Sequence, residues 1–305
     1  MLSTIVPGLD ACVTVTPSEG VVIAGPDATE RWPSLSAWRD DVGRHGIHGA
    51  QRIISASLWT LDAHVRRNGP NVALRPGVAV SWHTAIPTSV GLAGSSALAV
   101  GTIDAVAACW GITLDRRICA ALALSAERDV LGIAAGWQDR IVQAFGRTVL
   151  VDAARMVEVE DVWVPTVHVV ADDHPSIRLV IGWKVESASS SDNYHAPLRR
   201  VTRSLATPMA ELAAVARSAT ESLERGDARA FFAAVDAGWH IRQACVPLHP
   251  DHAAIVELVR ASGVSATTPG SGGSVVALCA DDDAVVRVRS VLASAGCGCA
   301  DFAMR

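Results

Sequence analysis

Pro87-Thr88-Ser89-Val90-Gly91-Leu92-Ala93-Gly94-Ser95-Ser96-Ala97 is a run of small residues that opens into an apolar stretch, read as a helix over roughly 95–111. Glycines allow positive φ and let a backbone approach a ligand closely. A helix N-terminus adds unpaired N–H groups and a partial positive charge, a combination suited to phosphate. No Gly-Lys-Ser/Thr follows, so this is not a Walker A loop. On these residues alone two readings stand. One is a tight turn with a serine N-cap. The other is a loop that wraps phosphate, with Ser95 or Ser96 reaching a metal–phosphate group.

Working outward, Val78–His83 alternates as a strand that feeds the loop. Helices are expected at about 115–130 and 137–145, followed by a strand at 147–152. Upstream, 11–15 and 21–24 read as strands around a Pro-Ser-Glu-Gly turn, and 47–67 as a helix stopped by Asn68-Gly69-Pro70. A second half is expected to begin near Trp163, dividing the chain into 1–162 and 163–305. There Arg178–Trp183 reads as a buried strand, followed by a Ser-rich loop at 187–191 and helices at 196–205, 207–224, 228–242 and 251–261. The end reads strand 264–268, Gly-rich turn, strand 274–279, helix 282–293 and strand 298–304. Strand–helix units with antiparallel pairs predict an α+β protein of two lobes.

Composition narrows the function class. At 305 residues, half hydrophobic and 19% charged, the chain buries a large core and is not a disordered one. A net charge of −5 argues against a nucleic-acid partner. Lys184 is the only lysine, which leaves cationic roles to arginine. The seven cysteines have no zinc spacing. Residues 97–114 are apolar enough to suggest a membrane span, but Asp104 and the adjoining small-residue loop favour a buried helix of a soluble protein. No signal-peptide pattern opens the chain, so the expectation is a cytoplasmic protein with reduced thiols, without membrane partners, monomeric or homodimeric.

Three further segments can carry chemistry. In Glu127–Arg140, two glycine-containing steps break one helix and start another, which puts Asp139 in a first helical turn where the dipole favours a carboxylate. Asp139 is either an ordinary acidic N-terminus or a group that orients or deprotonates a hydroxyl. Glu127 has the chemistry to hold Mg²⁺ beside a serine hydroxyl. Thr267–Ser274, with Gly270, Ser271, Gly272 and Gly273, is either a hairpin turn or an anion-binding nest. Ser189–Arg200 is either a solvated loop and helix cap or a substrate-facing segment with His195 and Arg199.

In order and spacing these segments resemble the GHMP small-molecule kinases, and among them most closely the glucuronokinase-like sugar kinases. Pro87–Ala97 looks like the family's phosphate loop, Glu127 its Mg²⁺-binding glutamate, Asp139 its catalytic aspartate, and Gly270–Gly273 its C-terminal glycine motif. Gln138-Asp139-Arg140 and Ser191…His195…Arg199 are similar to stretches that recur in glucuronokinases. The resemblance implies a GHMP kinase fold, with a ribosomal protein S5 domain 2-like N-terminal lobe and a ferredoxin-like C-terminal lobe. It also implies an ATP- and Mg²⁺-dependent kinase acting on a sugar or sugar acid. Pro87, Gly91, Leu92, Ala93, Gly94, Ser95, Ser96, Ala97 and Gly270–Gly273 would bind nucleotide, and Ser96 with Glu127 the metal. Asp139 would act on the acceptor hydroxyl, Arg140 on the transferred phosphoryl group, and Gln138, His195 and Arg199 on the substrate. The alternatives are another acceptor, such as a neutral sugar or mevalonate, or a non-catalytic ligand-binding homologue. Members of the family open on a strand with a pocket-lining motif, and Met1 stands about where that motif ends. The first strand is therefore expected to be missing, through a start placed downstream of the true one or through loss of a pocket wall. Ile5–Val15 reads as the strand that follows it.

Overall fold

Alternating apolar and polar residues build the N-terminal sheet. In the computed structural model, which describes residues 1–68, 75–170, 174–184, 206–245, 248–270 and 272–304, β2 (Ala11–Ser18) lies antiparallel to β5 (Gly77–Thr84). β3 (Val21–Ala24) pairs parallel with β5 and antiparallel with β4 (Thr29–Trp32), giving the order β2-β5-β3-β4. A parallel pair needs a crossover, and the chain between β3 and β5 supplies it with α1 (Leu35–His45) and α2 (Arg52–Asn68). The strand expected from Ile5 starts at Ala11. The helix expected from 47 starts at Arg52, while α1, capped by the Ser34 hydroxyl, was not anticipated.

β1 (Leu2–Ser3), β6 (Val149–Val159) and β7 (Val162–Val169) form a second antiparallel sheet in the order β1-β6-β7. β7 pairs with β6 from Val162 to Val169, so the division expected at 162/163 falls inside a hairpin, and these residues stay with the N-terminal lobe. Over these sheets lie α3 (Gly94–Cys109), α4 (Arg116–Ser125) and α5 (Trp137–Phe145), with Ile23, Trp38, Leu58, Ile103 and Ile141 in one core. α3 has hardly any polar face because β2, α2, α4 and α5 surround it. Among the described residues no helix is long and apolar enough to cross a membrane.

The C-terminal sheet is antiparallel, in the order β11-β8-β10-β9, built from β8 (His174–Lys184), β9 (Ser265–Thr267), β10 (Ser274–Cys279) and β11 (Cys297–Met304). α6 (Ala206–Glu224), α7 (Ala228–Cys245), α8 (Pro250–Arg260) and α9 (Asp282–Ser294) cover it. Alternate β8 residues feed two cores. Val180 joins Trp239, Val256 and Val288, while Leu179 and Ile181 join Leu223, Phe231 and Phe302. A strand buried on both faces reads as an unbroken apolar run, as Leu179–Ile181 does. The expected Ser-rich loop at 187–191 and helix at 196–205 lie outside the described residues.

Candidate active site

Ser89, Gly91 and Ala93 all take positive φ, at 60°, 76° and 59°. For the two non-glycine residues that conformation costs on the order of 1 kcal/mol each, and strain of this kind gathers at functional sites. Ala93 is the N-cap of α3 and makes no side-chain capping bond, so the serine-cap reading fails. Ser95 and Ser96 lie inside the helix. Ser95 is exposed; Ser96 is fully buried and donates to the Ala93 carbonyl at 2.8 Å. The helix start is therefore left without a side-chain acceptor on its first N–H groups, which is what an anion site requires.

The glycine motif between β9 and β10 lies directly on this loop. Gly272 and Gly273 both have φ +94°. A Cβ on Gly91 would stand 1.9 Å from the Gly272 carbonyl oxygen, and one on Gly273 would stand 2.8 Å from the Val90 carbonyl carbon. The Ser274 hydroxyl donates to the Val90 carbonyl at 2.8 Å. Two segments more than 170 residues apart thus touch backbone to backbone, and only glycine permits it. Ser271 lies outside the described residues.

α4 runs on into a π-helical turn, Ala126–Val130, of a kind common at functional sites. It carries Glu127, which is fully buried. Arg140 Nε and Nη2 both lie 2.5 Å from Glu127 Oε2, while Oε1 is buried without a hydrogen-bond partner among the described residues. Arg140 Nη1 also donates to Asp139 Oδ2 at 3.2 Å and to the Gly136 carbonyl at 3.1 Å. Arg140 was expected to face a transferred phosphoryl group. Its guanidinium is buried and hydrogen-bonded to both carboxylates. Asp139 sits in the first turn of α5 with its side chain 39% exposed. Gln138 beside it is partly exposed, and His195 and Arg199 lie outside the described residues.

A buried carboxylate oxygen without a partner is costly, and a cation at Glu127 Oε1 removes that cost. Among the described residues, no three His, Cys, Asp or Glu side chains gather as a metal cage. Mg²⁺ fits such a place, since it is held by one or two carboxylates and completes its shell with water and phosphate oxygens.

The chain matches the family models described as GHMP kinases N terminal domain, over residues 53–147, and GHMP kinases C terminal, over residues 219–296, together more than half its length. It is 26% identical to a protein named probable glucuronokinase 2 from Arabidopsis thaliana, over 80% of this chain and 68% of that one. It is 24% identical to glucuronokinase 1 from the same plant, over 91% of this chain and 78% of that one. Among solved structures it resembles Streptococcus pneumoniae phosphomevalonate kinase in complex with phosphomevalonate and AMPPNP (TM-score 0.73, 15% identity, covering 95% and 89% of the two chains). It also resembles Lactococcus lactis galactokinase complexed with galactose (TM-score 0.75, 13% identity, covering 98% and 86%). These structures share the fold.

Proposed function

The chain belongs to the GHMP kinase family and is an ATP-dependent phosphotransferase, and on that premise we propose that it phosphorylates a hydroxyl of a hexuronic acid such as glucuronate. The observation that carries this reading is the Glu127–Arg140–Asp139 set, one carboxylate with a buried oxygen that has no partner among the described residues and the other open to solvent, both held by one guanidinium. The 24% and 26% identities to glucuronokinases support the choice of acceptor.

In this reading the triphosphate lies between Gly91–Ala97 and the Gly270–Gly273 motif, held by backbone N–H groups and the α3 N-terminus. Asp139 accepts the proton of the acceptor hydroxyl. The acceptor oxygen forms the new P–O bond as the bond from the γ-phosphorus to the ADP oxygen breaks. Glu127 Oε1 and the hydroxyl of Ser95 or Ser96 are the groups that would hold Mg²⁺, which neutralises phosphate charge when bound. Arg140 keeps Asp139 pointed while Glu127 shares the same cation. Positioning and electrostatics supply most of the rate in phosphoryl transfer, and this set needs little else.

The test is a panel of glucuronate, galacturonate, glucose, galactose and mevalonate with ATP and Mg²⁺, read as ADP formed and as product mass. The hexuronic acids are expected to turn over fastest. A preference of roughly tenfold or more for mevalonate or a neutral hexose, about 1.4 kcal/mol in transition-state terms, would sink the proposed acceptor.

A further inference from the structure

The glycine motif is held from behind as well as in front. Arg242, in the last turn of α7, donates from Nη1 to the Thr268 carbonyl at 2.9 Å and from Nη2 to the Gly270 carbonyl at 2.6 Å. Thr268 is only 2% exposed, and hydrogen bonds from a charged donor strengthen where water is scarce. The Gly272 N–H also donates to the Pro269 carbonyl at 2.9 Å. On its far side Gly272 and Gly273 rest against Gly91 and Val90. The loop thus runs from a cationic fork to the loop that begins α3. It has three positive-φ glycines, at Gly270, Gly272 and Gly273, and no side chains on them to hold it in place. A chain with that freedom keeps one shape only when something outside it fixes the carbonyls.

We propose that Arg242 is a positioning residue for the nucleotide: it tethers the glycine motif so that its contact with the 87–97 loop is held in one place. The proposal rests on reading both loops as the phosphate site. Arg242 acts through the two carbonyls, so its loss alters nucleotide affinity more than fold stability. Arg260 is the matched comparison. It donates to the Ala266 carbonyl in β9 and pairs with Asp236, so it also braces this strand, but away from the glycine turn.

The experiment is calorimetric binding of AMPPNP with Mg²⁺ to the full chain, alongside thermal melting, for wild type, Arg242→Ala, Arg242→Lys and Arg260→Ala. Arg242→Ala is expected to weaken AMPPNP by roughly tenfold, as loss of hydrogen bonds from a charged donor would. Arg242→Lys, with a point charge that cannot span two carbonyls as a fork does, should fall between it and wild type. Arg260→Ala should melt earlier yet bind AMPPNP as wild type does. Unchanged affinity in Arg242→Ala overturns the proposal, as does an equal loss of affinity in Arg260→Ala. If Arg242→Ala does not fold, Arg242→Lys decides by the same criterion. A wild-type chain that binds no AMPPNP overturns the phosphate-site reading itself, an outcome distinct from the other two.

Discussion

Glu127 and Arg140 are interdependent, because each is a buried charge whose nearest compensation is the other. Replacing Arg140 with Met strands the carboxylate and should lower unfolding stability by about 3–5 kcal/mol in urea titration. Adding Glu127→Gln to that variant should recover part of the loss, and a double variant no more stable than Arg140→Met would refute the coupling. Asp139 behaves differently because it is open to solvent and free to meet an acceptor. Asp139→Asn should reduce turnover on the acceptor found by the panel by at least about a hundredfold. Its AMPPNP affinity should stay near wild type, and turnover close to wild type would remove Asp139 from the role of base. Asp139 was legible in the sequence through the Gly-containing break before it. The guanidinium bridge was not, because adjacency of Asp139 and Arg140 says nothing about a glutamate thirteen residues earlier.

Among the elements, the two glycine loops are the most readable, since close backbone approach, as of Gly91 and Gly273 to the facing chain, leaves a compositional trace. Gly91→Ala puts a methyl into the Gly272 carbonyl and should lower AMPPNP affinity by at least about tenfold, with the loops forced apart. Gly43→Ala is a suitable control, for its added methyl meets nothing within 4 Å in the last turn of α1. It should raise stability by about 0.5–1 kcal/mol and leave affinity unchanged. Equal affinities for Gly91→Ala and wild type would show that the contact is dispensable. Other elements left weaker traces. The segment 115–130 reads as one amphipathic helix because a π turn adds one residue without breaking the apolar pattern, so the change at Ala126 is invisible in sequence. α1 was missed because its buried stripe is only Leu35, Trp38 and Val42, set among charged residues. The β6–β7 hairpin hid the lobe boundary because its turn at Glu160-Asp161 uses left-handed acidic residues rather than glycine.

At the scale of the whole molecule, acid should weaken the fold through two histidines. Burial lowers the pKa of both His64, under the β6–β7 turn, and His252, against Gly272, below the ordinary value of 6.5. The unfolded chain therefore binds protons that the folded one resists, so stability present above pH 6.5 is lost as pH falls from 6.5 toward the lowered folded-state values. Melting temperature should decline over that window and change little between pH 7 and 8 on this account, and a flat profile in His64→Gln/His252→Gln would tie the decline to these rings. The two-lobed α+β plan itself was legible, because the three described sheets carry alternating or unbroken apolar strands between helices of ordinary length. The hydrogen bond from Ser274 to Val90, 184 residues apart in the chain, has a consequence in time as well as space. During synthesis the α3 helix and its preceding loop leave the ribosome long before their counterpart does. The contact between the two glycine loops therefore closes only after Ser274 has emerged, well after α3 itself.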